Sequence, residues 1–369
     1  MAKKHIVVDA RIRMSSTGTY MDNLLKYLQQ VDTTNNYTIL LSPKDNWGPE
    51  TKNFNTVVCK FKPYSFNILD QVFFSLWLNK LKPDLVHFTI TPQEPVFFMG
   101  KRITTTHDLT MFDYVRAGRL PKLLHFLRMQ GYRFLMWQSH KKAKYVIVPS
   151  EYVRDDVYKK YLFVKRKLKV TLESSEPPIK GKAEKLENID KPFILHVGSP
   201  FPHKNIERLI EAFKILKSKN KNLTLVLAGK REYYFDKLEE SLVGDTIRDS
   251  IVIPGFVSSG ELKWLYENTE CYVLPSLSEG FGLPGLEAMA HGCPLVSSNA
   301  TCLPEIYGSA AEYFNPLDTE DMAAKISKVI NGQKTKETLV AAGHRQLKKY
   351  SWKKMASETL DIYNLALKD

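Results

Sequence analysis

Short β-branched runs alternate with longer stretches of helical spacing along almost the whole chain, and that alternation limits the fold more than any other feature. In the first half, HIVVDA (His5–Ala10), YTILLS, DLVHFT, RITTTH and YVIVPS read as strands. Between them lie helical patterns. TYMDNLLKYLQQ puts Tyr20, Leu24, Tyr27 and Leu28 on one face, LDQVFFSLWLNKL is a second, and a long one runs from Pro121 to about His140. Gly131 argues against a single unbroken helix in that last stretch. A further helix begins at Ser150, a good N-cap residue. The second half repeats the rhythm with FILHVGS, LTLVLAG, SIVIPG, CYVLPS and PLVSS, and with NIERLIEAFKIL carrying Ile206, Leu209, Ile210 and Phe213 on its apolar face. Strands separated by helices in this way pair in parallel, with helices on both faces of the sheet.

A chain of 369 residues is long for one such sheet, so two α/β domains are expected. No repeat of 20–50 residues marks a solenoid or array. The boundary falls in Leu172–Pro192, a polar and charged stretch with three prolines. The expected domains are therefore 1–172 and 173–351, with a C-terminal helix at about 352–369 packing back on the first. Both are doubly wound parallel sheets of Rossmann type facing a cleft, with ligands expected at the C-terminal ends of the strands.

Charge divides the halves. Residues 1–172 hold 28 Lys and Arg against 13 Asp and Glu, a net +15, whereas residues 173–369 net −2. The excess concentrates between Gly118 and Lys169, where 14 basic residues face Glu151, Asp155 and Asp156, a local +11. Such a patch suits an anionic membrane surface or nucleic acid, and equally a merely solvated basic face. Around Arg128, Arg133 and Lys141 the bulky Leu123, Leu127, Phe134 and Trp137 fit an interfacial helix, although buried packing explains the same apolar residues. The cysteines Cys59, Cys271, Cys293 and Cys302 are scattered without a CxxC pair, which argues against a disulfide framework or zinc site. No apolar run has the length of a signal peptide core or of a membrane span, so a cytoplasmic protein is expected.

Two stretches of the second half suggest chemistry. FILHVGS runs through Gly198 into PFPHKN and a helix start near Asn205, where backbone N–H groups and the helix dipole favour an anion and Lys204 adds a full charge. By itself Lys204 fits a solvated lysine as well as a diphosphate ligand. SEGFGLPGLEAMAHG (Ser278–Gly292) bends on Gly280 and Gly282 into a helix entered at Pro284. Glu279 and Glu287 stand at either end of the bend, where carboxylates can accept hydrogen bonds from two separate diols, on a sugar ring and on a ribose. Glu287 could instead serve the helix dipole. In the first half, His107–Asp108 follows the strand ITTT at the expected ligand edge.

With these residues in view, EGFGLPGLEAMAHGCPLVSSNATCLPE closely resembles the E-x7-E segment of retaining GT-B glycosyltransferases of family 4. VDARIRMSSTGTYMDNLL, DLVHFT…TTHDLTMFDY, VPSEYVRDDV and HVGSPFPHKNIERLIEAF resemble further segments of that family in order along the chain. GFGLP and P-x-K-N look most like its mannosyltransferases that use GDP-mannose. The resemblance implies that Lys204 binds the donor diphosphate, Glu279 the transferred hexose and Glu287 the nucleotide ribose. The backbone of Gly280, Phe281 and Gly282 would hold the sugar and β-phosphate. Gly18 and Gly198 would lie beside the donor phosphates, Lys230 would support them, and His107 would stand near sugar and acceptor as a catalytic group with Glu279. Three departures stand out: His203 where many relatives have arginine, a single glycine in STGTY, and the stretch LESSEPP.

The resemblance further implies a glycan or lipid-linked acceptor, retention of anomeric configuration, and help from the donor's own phosphate in deprotonating the acceptor. No HExxH, CxxC or DxD-like pair flanks these motifs, so a metal-independent reaction without a cofactor is expected. Competing readings are a GT-B enzyme using a UDP- or ADP-sugar, a GT-B phosphorylase or epimerase, and a basic nucleic-acid-binding protein. The last lacks any recognisable DNA- or RNA-binding motif, and a dehydrogenase is disfavoured by the absence of GxGxxG.

Overall fold

The computed structural model describes residues 3–15, 17–63, 65–114, 121–190 and 192–368. The chain divides into two units: Met1–Leu109 with Arg119–Glu173 and Ser351–Asp369, and Thr110–Gly118 with Ser174–Tyr350.

The first unit is built on a seven-stranded parallel sheet. Its strands are β1 (His5–Asp9), β2 (Asn36–Leu41), β3 (Phe54–Val58), β4 (Leu85–Phe88), β5 (Arg102–Thr105), β6 (Tyr145–Val148) and β7 (Leu168–Val170), in the order β3-β2-β1-β4-β5-β6-β7. The central strands β1, β4 and β5 are rich in apolar and β-branched residues and buried almost throughout, as parallel strands covered on both faces must be. The covering helices include α1 (Gly18–Val31), which turns Tyr20, Leu24, Leu25 and Leu28 inward, and α2 (Ile68–Lys80). A four-residue turn, α3 (Thr110–Asp113), belongs to the second unit. Next come α4 (Lys122–Lys142) and α5 (Glu151–Lys160), whose N-cap Ser150 accepts a hydrogen bond from the Val153 N–H. The C-terminal helix Trp352–Lys368 packs extensively on α1.

The helix α4 runs unbroken through Gly131, against the expectation of a break. The ring of Phe66 fills the space that a Cβ at Gly131 would need, so the glycine serves a close approach. Most other apolar positions of α4 and α2 face outward. Ile68, Leu69, Phe73, Leu123, Leu127 and Phe134 are all more than half exposed. Buried packing therefore accounts for Leu135 of α4 but not for Leu123, Leu124 or Leu127.

The second unit repeats the design with six parallel strands: β8 (Phe193–Val197), β9 (Thr224–Ala228), β10 (Ile251–Gly255), β11 (Tyr272–Leu274), β12 (Leu295–Ser298) and β13 (Ala311–Phe314), ordered β10-β9-β8-β11-β12-β13. Its helices are α6 (Ile206–Lys219), α7 (Tyr233–Ser241), α8 (Ser259–Asn268), α9 (Leu283–Ala290), α10 (Leu303–Tyr307), α11 (Thr319–Asn331) and α12 (Gln333–Leu347). Leu209, Phe213, Leu225 and Val273 join α6 to the sheet in one core, which also takes Met322 and Ile326 of α11. In both sheets the strand order reverses beside the first strand, between β1 and β4 and between β8 and β11. Open α/β sheets bind ligands at that reversal.

Candidate donor-binding site

The loops that follow β8 and β11 flank the reversal in the second unit, and they carry the residues singled out by sequence. After β8, Gly198 takes a φ of +145° that other residues rarely adopt. Its N–H is held by the Ala228 carbonyl at 2.8 Å. The turn then tightens through Pro202–Lys204, and Asn205, in the left-handed conformation, opens α6. The Asn205 amide donates to the carbonyls of Pro275 at 3.1 Å and Pro316 at 2.7 Å, which ties the turn to two other loops. The Leu277 N–H donates to the His203 carbonyl at 2.7 Å, a further link to the loop after β11.

These ties bring Lys204 and Glu279 together across 75 positions of sequence. Lys204 Nζ donates to Glu279 Oε1 at 2.6 Å, and Ser276 Oγ donates to the same oxygen at 2.6 Å. The Glu279 N–H is held by Thr301 Oγ1 at 3.1 Å. Burial pushes the Glu279 carboxyl up, but the Lys204 charge and the bonds from Lys204 and Ser276 outweigh it and hold the group below its usual range. The pair keeps 16% and 12% of its side-chain surface in contact with water, so it is reachable from solution.

Past Glu279 the chain bends through Gly280 and Phe281. Phe281 is buried and meets Tyr350 edge-on at 5.5 Å, so only its backbone is offered to a ligand. Gly282, at φ +87°, gives its carbonyl to the Tyr307 hydroxyl and caps α9, which Pro284 enters in its first turn. A side chain at Gly282 would run into Tyr307.

Glu287 lies one turn into α9, with Tyr266 Oη donating to its Oε2 at 3.4 Å. Burial pushes its carboxyl up to about 7, opposed by the Tyr266 bond and assisted by the charge of Glu176. Burial therefore disfavours the ionised form of Glu287. His203 is buried and stacks on Phe201.

Lys230 follows the turn after β9, which packs tightly on Gly198. Its side chain is 73% exposed and its ammonium pairs with Glu232 at 3.3 Å, with no bond to Lys204 or Glu279. Sequence reasoning missed Ser276 and Thr301, and it read Asn205 only as a helix start. Their short polar side chains carry no spacing signal, and only the assembled loops give them their partners.

In the first unit, Gly18 opens α1, and its N–H is taken by the Ser15 carbonyl at 3.0 Å. Ser16, part of the STGTY turn, lies outside the described residues, as do Gly118–Leu120 of the basic stretch. His107 sits past the end of β5, with Nε2 3.0 Å from the Thr89 carbonyl oxygen and Nδ1 3.4 Å from Glu173 Oε1. Glu173 was another residue that the sequence did not single out, although it stands in LESSEPP. The four cysteines are free and buried. Among the described residues no three His, Cys, Asp or Glu gather in a way that could hold a metal ion, and no helix is long and apolar enough to cross a membrane.

The two doubly wound parallel sheets have the fold of GT-B glycosyltransferases. Residues 180–346, which lie within the second unit, match the model of the family described as Glycosyl transferases group 1. The chain is similar to the O-antigen chain mannosyltransferase B of Escherichia coli, with 29% identity over 290 residues, 73% of each protein. It is also 29% identical over 239 residues to the O-antigen chain mannosyltransferase RfbU of Salmonella typhimurium, covering 65% of this chain and 64% of that one. Among solved structures, a sucrose-phosphate synthase from Thermosynechococcus elongatus superposes with a TM-score of 0.74 at 17% identity, over 98% of this chain and 99% of that one. At that identity the likeness speaks for the fold alone.

Proposed function

We propose that the protein is a retaining, family 4-type mannosyltransferase that moves mannose from GDP-mannose to a glycan or lipid-linked acceptor in the synthesis of a cell-surface polysaccharide. The Lys204–Glu279 pair carries this reading, because it sets a cation for a diphosphate beside a carboxylate for a sugar at the sheet reversal. The names of the two O-antigen relatives support mannose and a surface polysaccharide.

On donor binding, Lys204 exchanges part of its bond to Glu279 for the diphosphate, next to the N-terminus of α6. Glu279 then accepts from sugar hydroxyls, and Glu287 accepts from the ribose diol. In transfer, the acceptor oxygen bonds to the anomeric carbon as the bond from that carbon to the phosphate oxygen breaks. The hydroxyl proton passes to the departing phosphate. Lys204 and the backbone N–H groups of the glycine bend stabilise the charge that develops there, so that no metal is required. The first unit, with its basic surface, rests on the anionic inner face of a membrane.

The test is a thermal-shift screen of GDP-mannose against UDP- and ADP-sugars, followed by product analysis with the preferred donor. A true donor at 100 times its Kd stabilises the protein by about 2.7 kcal/mol. Stabilisation by a UDP- or ADP-sugar alone would move the donor assignment. An inverted product would overturn retention, and loss of turnover in excess EDTA would overturn metal independence.

A further inference from the structure

Both ring nitrogens of His107 face acceptors. Nε2 lies 3.0 Å from the carbonyl oxygen of Thr89, and a carbonyl can only accept, so Nε2 carries a proton. Nδ1 lies 3.4 Å from Oε1 of Glu173. A neutral ring in that place would turn a lone pair toward a carboxylate. A second proton turns the same contact into a charge-assisted hydrogen bond. The His107 and Glu173 side chains are only 13% and 5% exposed, so water does little to replace a missing bond.

We propose that Glu173 holds His107 as an imidazolium donating from both nitrogens, so that His107 enters the transfer reaction as a fixed positive group and not as a base. The final clause rests on the glycosyltransferase reading, whereas the charge state does not. Glu173 is thus a positioning residue, and it lies in the LESSEPP stretch by which this chain departs from the family it resembles.

The surroundings agree. Tyr20 of α1 meets the imidazole edge-on at 4.7 Å, with its hydroxyl 3.2 Å from Thr105 Oγ1. His87 of β4 has both nitrogens committed, to Tyr363 Oη at 2.7 Å and Thr105 Oγ1 at 2.8 Å. Burial pushes His87 down to about 3, so it stays neutral and does not repel a charge on His107. Asp108, next in the chain, adds negative charge. Burial disfavours the His107 cation, but the Glu173 bond and charge, the Thr89 carbonyl and Asp108 outweigh it and raise the group above its ordinary value. An imidazolium so held has no lone pair for an acceptor hydroxyl proton, and its charge suits a developing anion.

Nitrogen NMR of the histidine rings in the full chain, from pH 6 to 9, reads the charge directly. Both His107 nitrogens should remain protonated at pH 7.5. Glu173→Gln, which keeps the size of the side chain but removes its charge, should lower the midpoint by about 1–2 pH units, and Glu173→Asp should restore much of it. In turnover assays the alkaline fall of kcat should move to lower pH in Glu173→Gln, with KM changed less. A singly protonated His107 ring at pH 7.5, or a midpoint indifferent to Glu173→Gln, overturns the proposal. An acid limb set by His107, with activity rising as the ring deprotonates, overturns its catalytic half. If no nucleotide sugar is turned over, the glycosyltransferase reading fails while the NMR result still decides the charge state.

Discussion

The turns after β1 and after β8 occupy the same place in their sheets, at the reversal of strand order, yet they are finished differently. After β1, Arg11 answers to a carboxylate two residues away, and Arg13 to Asp22 of α1 and Asp45 of the loop after β2. Arg11 is paired with Asp9 at 2.6 Å, with both side chains buried. Arg13 reaches Asp45 at 2.5 Å and Asp22 at 2.6 Å. After β8, the cation Lys204 meets a carboxylate from a different loop, and the pair remains open to solution. Arg11 is sealed on its carboxylate and Arg13 is held by two, which serves the fold, whereas the Lys204–Glu279 pair is open to exchange with a ligand. On the function proposed above, the turn after β8 is the one that binds the donor diphosphate.

The largest expected effect breaks this contrast most directly. Glu279→Gln keeps the Ser276 contact but removes the charge, and turnover should fall about 100-fold or more, as when an oriented electrostatic group is lost from an active site. Asp45→Asn should instead lower stability by about 1–3 kcal/mol with donor affinity unchanged. Measuring turnover, donor Kd and melting for both variants decides the matter. If the two behave alike, the turns do not differ in kind.

The surfaces differ as the turns do. The first half carries +15 and the second −2. Outward apolar side chains gather on α2 and α4, while among the described residues of the second unit the large exposed ones are Val243, Phe256 and Leu317. Basic charge beside exposed leucine and phenylalanine favours an anionic lipid surface. Each lysine or arginine near such a surface contributes about 1 kcal/mol, so reversing Lys141, Lys142 and Lys144 to Glu should weaken vesicle binding by about 100-fold. Co-sedimentation of the full chain with anionic and neutral vesicles, at low and high salt, is the measurement. Equal binding to both vesicle types, or none to either, would leave a solvated basic face.

The next effect is smaller. Lys204→Ala should weaken donor binding by about 1.5–3 kcal/mol, the range for a hydrogen bond to a charged group. Calorimetry with the preferred nucleotide sugar reads it, and an unchanged Kd would remove Lys204 from the diphosphate site. Glu279 should then titrate closer to its ordinary value, since its cationic partner is gone.

How far the sequence reached follows from what local pattern can encode. Buried central strands such as VVD, LVHF and LVLA announce themselves by continuous β-branched or apolar runs. The edge strands β3, β7 and β13 went unread, because FNTVV is half exposed and LKV and AEYF are too short to show a period. The unbroken course of α4 depends on Phe66, 65 positions away, and could not be seen at Gly131. In the site, the glycine bend and the helix start at Asn205 were legible as backbone chemistry. The meeting of Lys204 with Glu279 was a product of topology, as was that of Glu173 with His107. A carboxylate gains its meaning from what the sheet order sets beside it.

The smallest expected effect concerns Glu287, the one site carboxyl that burial lifts to about 7. A raised carboxyl favours the fold while it is neutral. That advantage is complete below the unfolded value near 4.5 and is lost as pH rises through 7, so the empty protein should lose stability across this range. A ribose diol donating to the ionised form restores what burial costs, so the donor should bind more tightly as pH rises. If binding returns Glu287 to an ordinary carboxylate, Kd should fall about tenfold from pH 6 to pH 8. The diphosphate diester of a nucleotide sugar does not titrate in this window, and Glu287→Gln separates the effect from that of His203. Calorimetry at several pH values in both proteins gives the answer. A pH dependence that survives in Glu287→Gln would assign the proton to another group, and a flat wild-type profile would leave Glu287 as a helix residue with no ribose to hold.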